Sequence, residues 1–139
     1  REMAYENEHV LVSETALAVR DRVRAICAEL PETQEIIDGF GHTVFRVRNK
    51  SFVMMSEGER GWGGNCFIKS DKETQQMLIQ QGPYVRAPYI GQHGWVLIKN
   101  AEIEDGEEFR TLIVEAYLRT APKKLVRAYR DSVESGGQG

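Results

Sequence analysis

Three stretches of the chain repeat apolar residues every three or four positions, the spacing that buries one face of a helix. The first can be capped by Ser13 or Thr15, and the second opens with the capping box Ser70 and Glu73. The third opens in the same manner at Asp105, and a proline ends or interrupts every stretch. A short fourth helix fits the segment after the last break. The predicted helices are residues 13–30, 70–81, 105–121 and 123–131.

Five shorter stretches are rich in apolar, β-branched and aromatic residues, which favours strands. The first two are separated only by Asn49-Lys50, which predicts an antiparallel hairpin. A glycine-rich loop, residues 57–64, joins the second to the third. Pro88 fits its strand only at an edge or a bulge, because it has no N–H to donate. The predicted strands are residues 42–48, 51–56, 65–69, 85–90 and 94–98.

The element order α-β-β-β-α-β-β-α(α) predicts an α+β fold, a two-layer sandwich of an antiparallel five-stranded sheet with helices packed on it. There is no internal repeat and no linker that divides the chain. We predict an N-terminal extension at 1–12, a single domain at 13–131 and a flexible tail at 132–139.

Composition agrees with an ordinary globular domain, since 41% of the 139 residues are hydrophobic and 28% are charged. No apolar run approaches the roughly 20 residues that span a bilayer, and the acidic first residues are unlike a signal peptide. We therefore expect a cytoplasmic protein with no membrane partner. Cys27 and Cys66 lack the spacing of a metal site, which predicts two buried, reduced thiols.

No motif for catalysis or metal binding is found. His9, His42 and His93 are scattered, and the chain has no nucleophile elbow and no phosphate-binding loop. We predict no catalytic residue, no cofactor and no metal. Without a recognisable catalytic motif, the sequence favours a protein that is not an enzyme.

Charge is uneven although the net charge is only −3. Residues 42–69 and 119–131 carry more basic than acidic side chains, so a polyanion would have to meet these two segments together. Strand alternation predicts that Arg46 and Arg48 share a face with Val44, with Lys50 extending the patch from the turn. The candidate nucleic-acid-binding residues are Arg46, Arg48, Lys50, Arg60, Lys69, Lys123, Lys124 and Arg127. A solvated sheet face and the charged end of a helix explain the same residues without a ligand.

Aromatic residues suggest a different site, for a protein or a small ligand. Trp62, Tyr89, His93 and Trp95 can line a pocket near the glycine-rich loop and the Gly91-Gln92-His93 turn. Aromatic side chains on a small sheet are more commonly part of its core, which is the alternative reading for Trp95.

Several strings of residues, in order along the chain, resemble the MmcQ/YjbR family. The most specific are His93-Gly94-Trp95-Val96 and Ala121-Pro122-Lys123, and weaker matches extend the resemblance from about residue 16 to 128. The resemblance implies a YjbR-like (CyaY-like) fold and a DNA-binding role through paired β-hairpin wings. The leading hypothesis is therefore DNA binding through phosphate contacts. The alternative is a protein- or small-ligand-binding module that uses the sheet face or the aromatic pocket.

Overall fold

A computed structural model describes residues 7–58 and 63–138 of the chain. In these ranges one six-stranded sheet is accompanied by four α-helices, which confirms the α+β fold class. The helices are α1 (Glu14–Cys27), α2 (Lys72–Gln81), α3 (Gly106–Thr120) and α4 (Lys123–Gln138). The strands are β1 (Thr33–Ile37), β2 (Thr43–Val47), β3 (Lys50–Ser56), β4 (Asn65–Ile68), β5 (Val85–Arg86) and β6 (Val96–Lys99).

The sheet is antiparallel throughout, in the order β1-β2-β3-β4-β6-β5. The predicted count of five strands is wrong by one, because β1 was missed. This edge strand pairs with β2 from Thr33 opposite Val47 to Ile37 opposite Thr43. None of its side chains is buried, so it lacks the apolar signal by which a strand is recognised.

The prediction of a strand over residues 85–90 is also wrong beyond its second residue. β5 ends at Arg86, and the chain turns through Tyr89, at a φ of 63°, into a 3₁₀ helix over Ile90–His93. Pro88 has no N–H for a ladder, which explains the early end. β6 starts at Val96 and not at Gly94, whose φ of 95° is left-handed.

The helix caps follow the sequence with one correction. Ser13 caps α1, and its Oγ accepts a hydrogen bond from the Ala16 N–H at 3.2 Å. The cap of α2 is Asp71 and not Ser70, because the Asp71 carboxylate accepts from the Thr74 N–H at 2.7 Å. An ionised carboxylate is the stronger acceptor, and the Ser70 Oγ is buried without a hydrogen-bond partner.

The last helix is longer than predicted. α4 runs from Lys123 to Gln138, so the end expected at Asp131 is wrong and most of the predicted tail is helical. No proline follows Pro122, and the backbone hydrogen bonds of the helix can continue. The mobility of residues 132–139 stays a prediction.

The core lies between one face of the sheet and helices α1 and α3. A row of directly paired side chains crosses four strands on this face: Phe45, Val53, Ile68 and Val96, each no more than 2% exposed. We call the opposite face, which carries the row Val44, Met54, Phe67 and Leu97, the outer face. Among the described residues, no helix is long and apolar enough to cross a membrane.

Candidate nucleic-acid interface

The hairpin of β2 and β3 turns at Arg48 and Asn49, one residue earlier than predicted. Val47 pairs with Lys50, and the two residues between them have φ values of 50° and 67°. Two successive positive φ angles are typical of the two-residue turn whose twist matches a hairpin. Arg48 therefore does not share the strand face of Arg46, and the prediction that both point together is wrong. Lys50 is exposed at the first position of β3.

Arg46 lies on the outer face of β2. Its side chain is half-buried, and its Nε atom is buried without a hydrogen-bond partner in the described part of the chain. Lys69 follows β4 on the other side of β3, where its N–H donates to the Phe52 carbonyl. Strand alternation puts Lys69 on the same face as Phe67, the outer face. Arg46 and Lys69 thus flank β3 at the hairpin-turn end of the sheet.

Arg48 pairs with Glu32, the residue before β1. Its Nε and Nη2 atoms donate to the two Glu32 carboxylate oxygens at 2.7 and 3.3 Å. The hydrogen bond from Arg48 is the main cause of a lowered pKa of Glu32. Burial opposes it, and the charges of Arg48 and then of Lys124 add smaller lowering effects. Glu32 is therefore within electrostatic reach of both the hairpin turn and the start of α4.

The start of α4 carries exposed cations on a buried anchor. Lys123, Lys124 and Arg127 are exposed, and Leu125 is 4% exposed within the core. One turn farther, the Tyr129 ring meets the edge of the Tyr117 ring of α3 with centroids 6.4 Å apart. The charged first turn is thus fixed to the same core as the sheet.

A β-bulge fixes the hairpin to α3. The pairing of β2 and β3 shifts between Phe45 and Arg46, which leaves Phe52 as an extra residue of β3. Phe52 is fully buried, and its ring meets Tyr117 edge-on with centroids 5.8 Å apart. Tyr117 in turn donates its hydroxyl to the Pro31 carbonyl at 2.7 Å, beside Glu32.

These contacts bring the hairpin turn and the start of α4, with five of the eight predicted cations, to one end of the molecule. Arg46 and Lys69 lie at the same end but on the outer face of the sheet, opposite the helices. We call this set the basic end: Arg46, Arg48, Lys50, Lys69, Lys123, Lys124 and Arg127. Arg60 lies outside the described residues. Its loop leaves β3 at Ser56 and enters β4 at Asn65, at the end of the sheet remote from the Arg48–Asn49 turn.

Three aromatic residues of the alternative site lie in the described part of the chain, and none of them lines the two cavities found there: Tyr89, His93 and Trp95. Tyr89 is 93% exposed, His93 is exposed, and Trp95 is half-buried. Trp62 lies outside the described residues. The loop that carries the other three is held to α2 by Gln75, whose Nε2 donates to the Gly91 and Trp95 carbonyls, each at 2.8 Å.

Two histidines meet although sequence spacing does not relate them. The rings of His9 and His42 stack with centroids 4.3 Å apart. His9 Nδ1 lies 2.8 Å from the Ser56 Oγ, and His42 Nδ1 lies 2.9 Å from the Asp38 carboxylate. Only the tertiary fold brings residue 9 to the sheet, so no sequence signal could have found this pair.

No group of three His, Cys, Asp or Glu side chains that could hold a metal is found in residues 7–58 and 63–138. Cys27 and Cys66 are buried free thiols, as predicted. Burial, and then the nearby Glu35 carboxylate, raises the pKa of Cys27 to about 12, which keeps this thiol protonated and unreactive at neutral pH.

Comparison with known proteins identifies the fold. A model of the YjbR family matches residues 28–119. The crystal structure of Deinococcus radiodurans protein DR2400, which carries a DUF419 domain, superposes with a TM-score of 0.63 at 23% sequence identity. The match covers 83% of this chain and 87% of that one. No match was found among proteins with curated descriptions.

Proposed function

The chain belongs to the YjbR family, and we propose that it binds DNA by laying the basic end against the phosphate backbone. The observation that carries the proposal is the position of Glu32. Its carboxylate contacts Arg48 and is also within electrostatic reach of Lys124, so two segments far apart in sequence contribute cations to one surface. A polyanion needs such a continuous surface, and charges on opposite sides of the domain would not supply it.

The pairing of charges supports the same reading. Several arginines on α1 and α3 have carboxylate partners, such as Arg24 with Glu35 at 2.7 Å and Arg110 with Glu29 at 2.9 Å. Within the basic end only Arg48 has an ion pair among the described residues. Four of the other six cations are exposed and available to contact phosphates and to displace the counterions condensed on a duplex: Lys50, Lys123, Lys124 and Arg127. Arg46 and Lys69 are half-buried.

The proposed contacts are to phosphates and not to bases. Lysines dominate the exposed part of the basic end, and a lysine acts on a phosphate as a point charge without reading a base pattern. The net charge of −3 weakens long-range attraction, so modest affinity with little sequence preference follows. The cytoplasmic location predicted from the sequence is part of this proposal, because the protein must have access to DNA.

Salt titration tests the proposal. Fluorescence anisotropy with a labelled random duplex of about 20 base pairs gives Kd across ~50–200 mM KCl, and log Kd should rise steeply with log salt. The double variant Lys50→Gln/Lys124→Gln removes one charge from each of the two segments. Its slope should be lower than that of the parent chain by about 1.8, since each lost phosphate contact removes about 0.9.

A matched control comes from the opposite end of the molecule. Arg22 is exposed, and its guanidinium lies beside Gly106, the first residue of α3. The guanidinium is 3.0 Å from the point where a Cβ on Gly106 would be. Arg22→Gln should leave the salt slope unchanged. Binding that is insensitive to salt, or an equal loss in Arg22→Gln and the double variant, would rule out the basic end as the contact surface.

A further inference from the structure

A cavity of about 550 Å³ lies between the end of α2 and the segment that leads into α3. Its wall carries four carboxylates, with an aromatic and an apolar side chain beside them. The residues that matter here are Glu102, Glu104, Asp105, Glu108, Tyr84 and Ile103. The cavity is at the start of α3, whereas the basic end is at the end of this helix.

The four carboxylates have no cationic partner in the described part of the chain. Negative charges around a concave surface raise the local concentration of cations above that in bulk solvent.

Tyr84 gives an independent reason to expect a ligand. The residue is only 2% exposed and lines the cavity, and its hydroxyl has no hydrogen-bond partner among the described residues. The hydroxyl oxygen is not one of the fully buried unpartnered atoms, so it is accessible to a molecule in the cavity. A phenol in the interior of a protein normally has a hydrogen-bond partner. Burial, and then the nearby charges of Glu108 and Asp105, raises the pKa of Tyr84, so the phenol stays neutral. A neutral phenol oxygen near two carboxylates is an acceptor suited to an ammonium group.

The geometry argues against a single metal ion. No three of the carboxylates in the described residues are close enough together to share one. A ligand that satisfies them must therefore carry separated positive charges, and the side chains of Pro83 and Ile103 offer apolar contact for the chain between those charges. We propose that this cavity binds a linear polyamine, an alkyl chain that carries two or more ammonium groups.

The local helix explains only part of this cluster. Asp105 caps α3 by accepting from the Glu108 N–H at 3.0 Å, and acidic residues in a first turn complement the helix dipole. Glu102 and Glu104 precede the helix and have no such role. Arg22 on α1 is the nearby cation: its guanidinium lies over the Phe109 ring at 5.2 Å, and it forms no ion pair with the four carboxylates. One arginine leaves the cavity negative.

Isothermal titration calorimetry of the full chain with 1,4-diaminobutane and spermidine tests the proposal. We expect Kd below about 1 mM for spermidine, and no heat with 1,4-butanediol, which has the same chain without charge. Tyr84→Phe removes one oxygen and no charge, and should weaken spermidine binding about tenfold if this oxygen accepts from an ammonium group. Tyr89→Phe is the matched control, because Tyr89 is 93% exposed outside the cavity.

A second pair of variants tests the charges. Glu102→Gln/Glu104→Gln should weaken spermidine binding about fivefold, and Glu134→Gln on α4 should not change it. These measurements contain no DNA, so failure here leaves the DNA proposal intact. No heat at millimolar spermidine, unchanged binding in Tyr84→Phe, or equal binding of Mg²⁺ at the same ionic strength would each overturn the proposal.

Discussion

Glu32 both organises the basic end and opposes its charge. The residue has a φ of 60°, and it holds the Arg48 guanidinium by two hydrogen bonds. A phosphate that approaches Arg48 must compete with this carboxylate. The same side chain that orients the arginine therefore also limits its use.

Replacing Glu32 by glutamine should strengthen DNA binding about threefold, because one repulsive charge is removed and Arg48 becomes available to a phosphate. Anisotropy at fixed salt measures the change. The matched control is Glu107→Gln, an exposed carboxylate in the first turn of α3. Weaker binding in Glu32→Gln would instead mean that Glu32 helps DNA binding by orienting Arg48 more than it hinders binding by its negative charge.

At the residue scale, the sequence predicts the orientation of the candidate cations only in part. Arg46 shares the outer face with Val44, as strand alternation predicts, and its side chain is half-buried. The sequence predicts Arg48 on the strand, but the residue lies in the turn with a positive φ. Arginine rarely adopts a positive φ, and no sequence pattern indicates it here. The ion pair with Glu32 depends on a strand that the sequence did not reveal.

Among the elements, the loop from Ala87 to Trp95 depends on one side chain of α2. Gln75 is 6% exposed, and its amide satisfies two loop carbonyls. Gln75→Leu keeps the volume but removes one donor from each carbonyl, which leaves the Gly91 carbonyl with only the Gly94 N–H at 3.0 Å and the Trp95 carbonyl with only the Ala87 N–H at 3.3 Å. The loss of these two buried hydrogen bonds should lower the free energy of unfolding by about 1–3 kcal/mol.

Urea denaturation measures this change, and the neighbouring residue supplies the control. Gln76 is exposed on the same helix, so Gln76→Leu should change stability by less than about 0.5 kcal/mol. Equal stability of the two variants would show that the loop is held by other contacts.

The elements that were predicted correctly are those with a buried stripe or an explicit stop signal. α1 and α3 have both, and their caps at Ser13 and Asp105 were located in the sequence. The sequence does not predict β1, because an edge strand without buried side chains has no alternating apolar pattern. The sequence does not predict the full length of α4, because residues 131–136 are exposed and form no buried stripe.

The whole molecule is electrically polar although its net charge is small. α3 has 15 residues and is therefore about 22 Å long. The unpaired carboxylates of the cavity lie at its start, and Tyr117, near its end, lies between the hairpin and α4. Such a dipole orients the domain in the field of a polyanion, with the basic end forward.

Stability should fall in acid. The pKa values of Glu32, Asp38 and Asp71 are lowered: Glu32 chiefly by its hydrogen bond from Arg48, Asp71 chiefly by the Thr74 N–H, and Asp38 by His42 and two backbone N–H groups despite burial. A carboxyl with a lowered folded-state pKa stabilises the fold above its unfolded value, ~3.9–4.3, and loses this contribution as pH falls through the folded value.

Urea denaturation from pH 6 to pH 2.5 measures the effect. The free energy of unfolding should be constant near pH 6 and decrease below about pH 4. Asp71→Asn removes one of the three groups, so its curve should be flatter over the acid range than that of the parent chain. A stability that rises on acidification would contradict the assignment.

Phe52 bears on the kinetics of the DNA binding proposed above. As the extra residue of the bulge, it packs against Tyr117, and Tyr117 also packs against Tyr129 of α4. Both basic segments are thus packed on one core in the free protein. We therefore expect that no segment has to fold on binding, and that the association rate constant depends on diffusion and on long-range charge rather than on a conformational step.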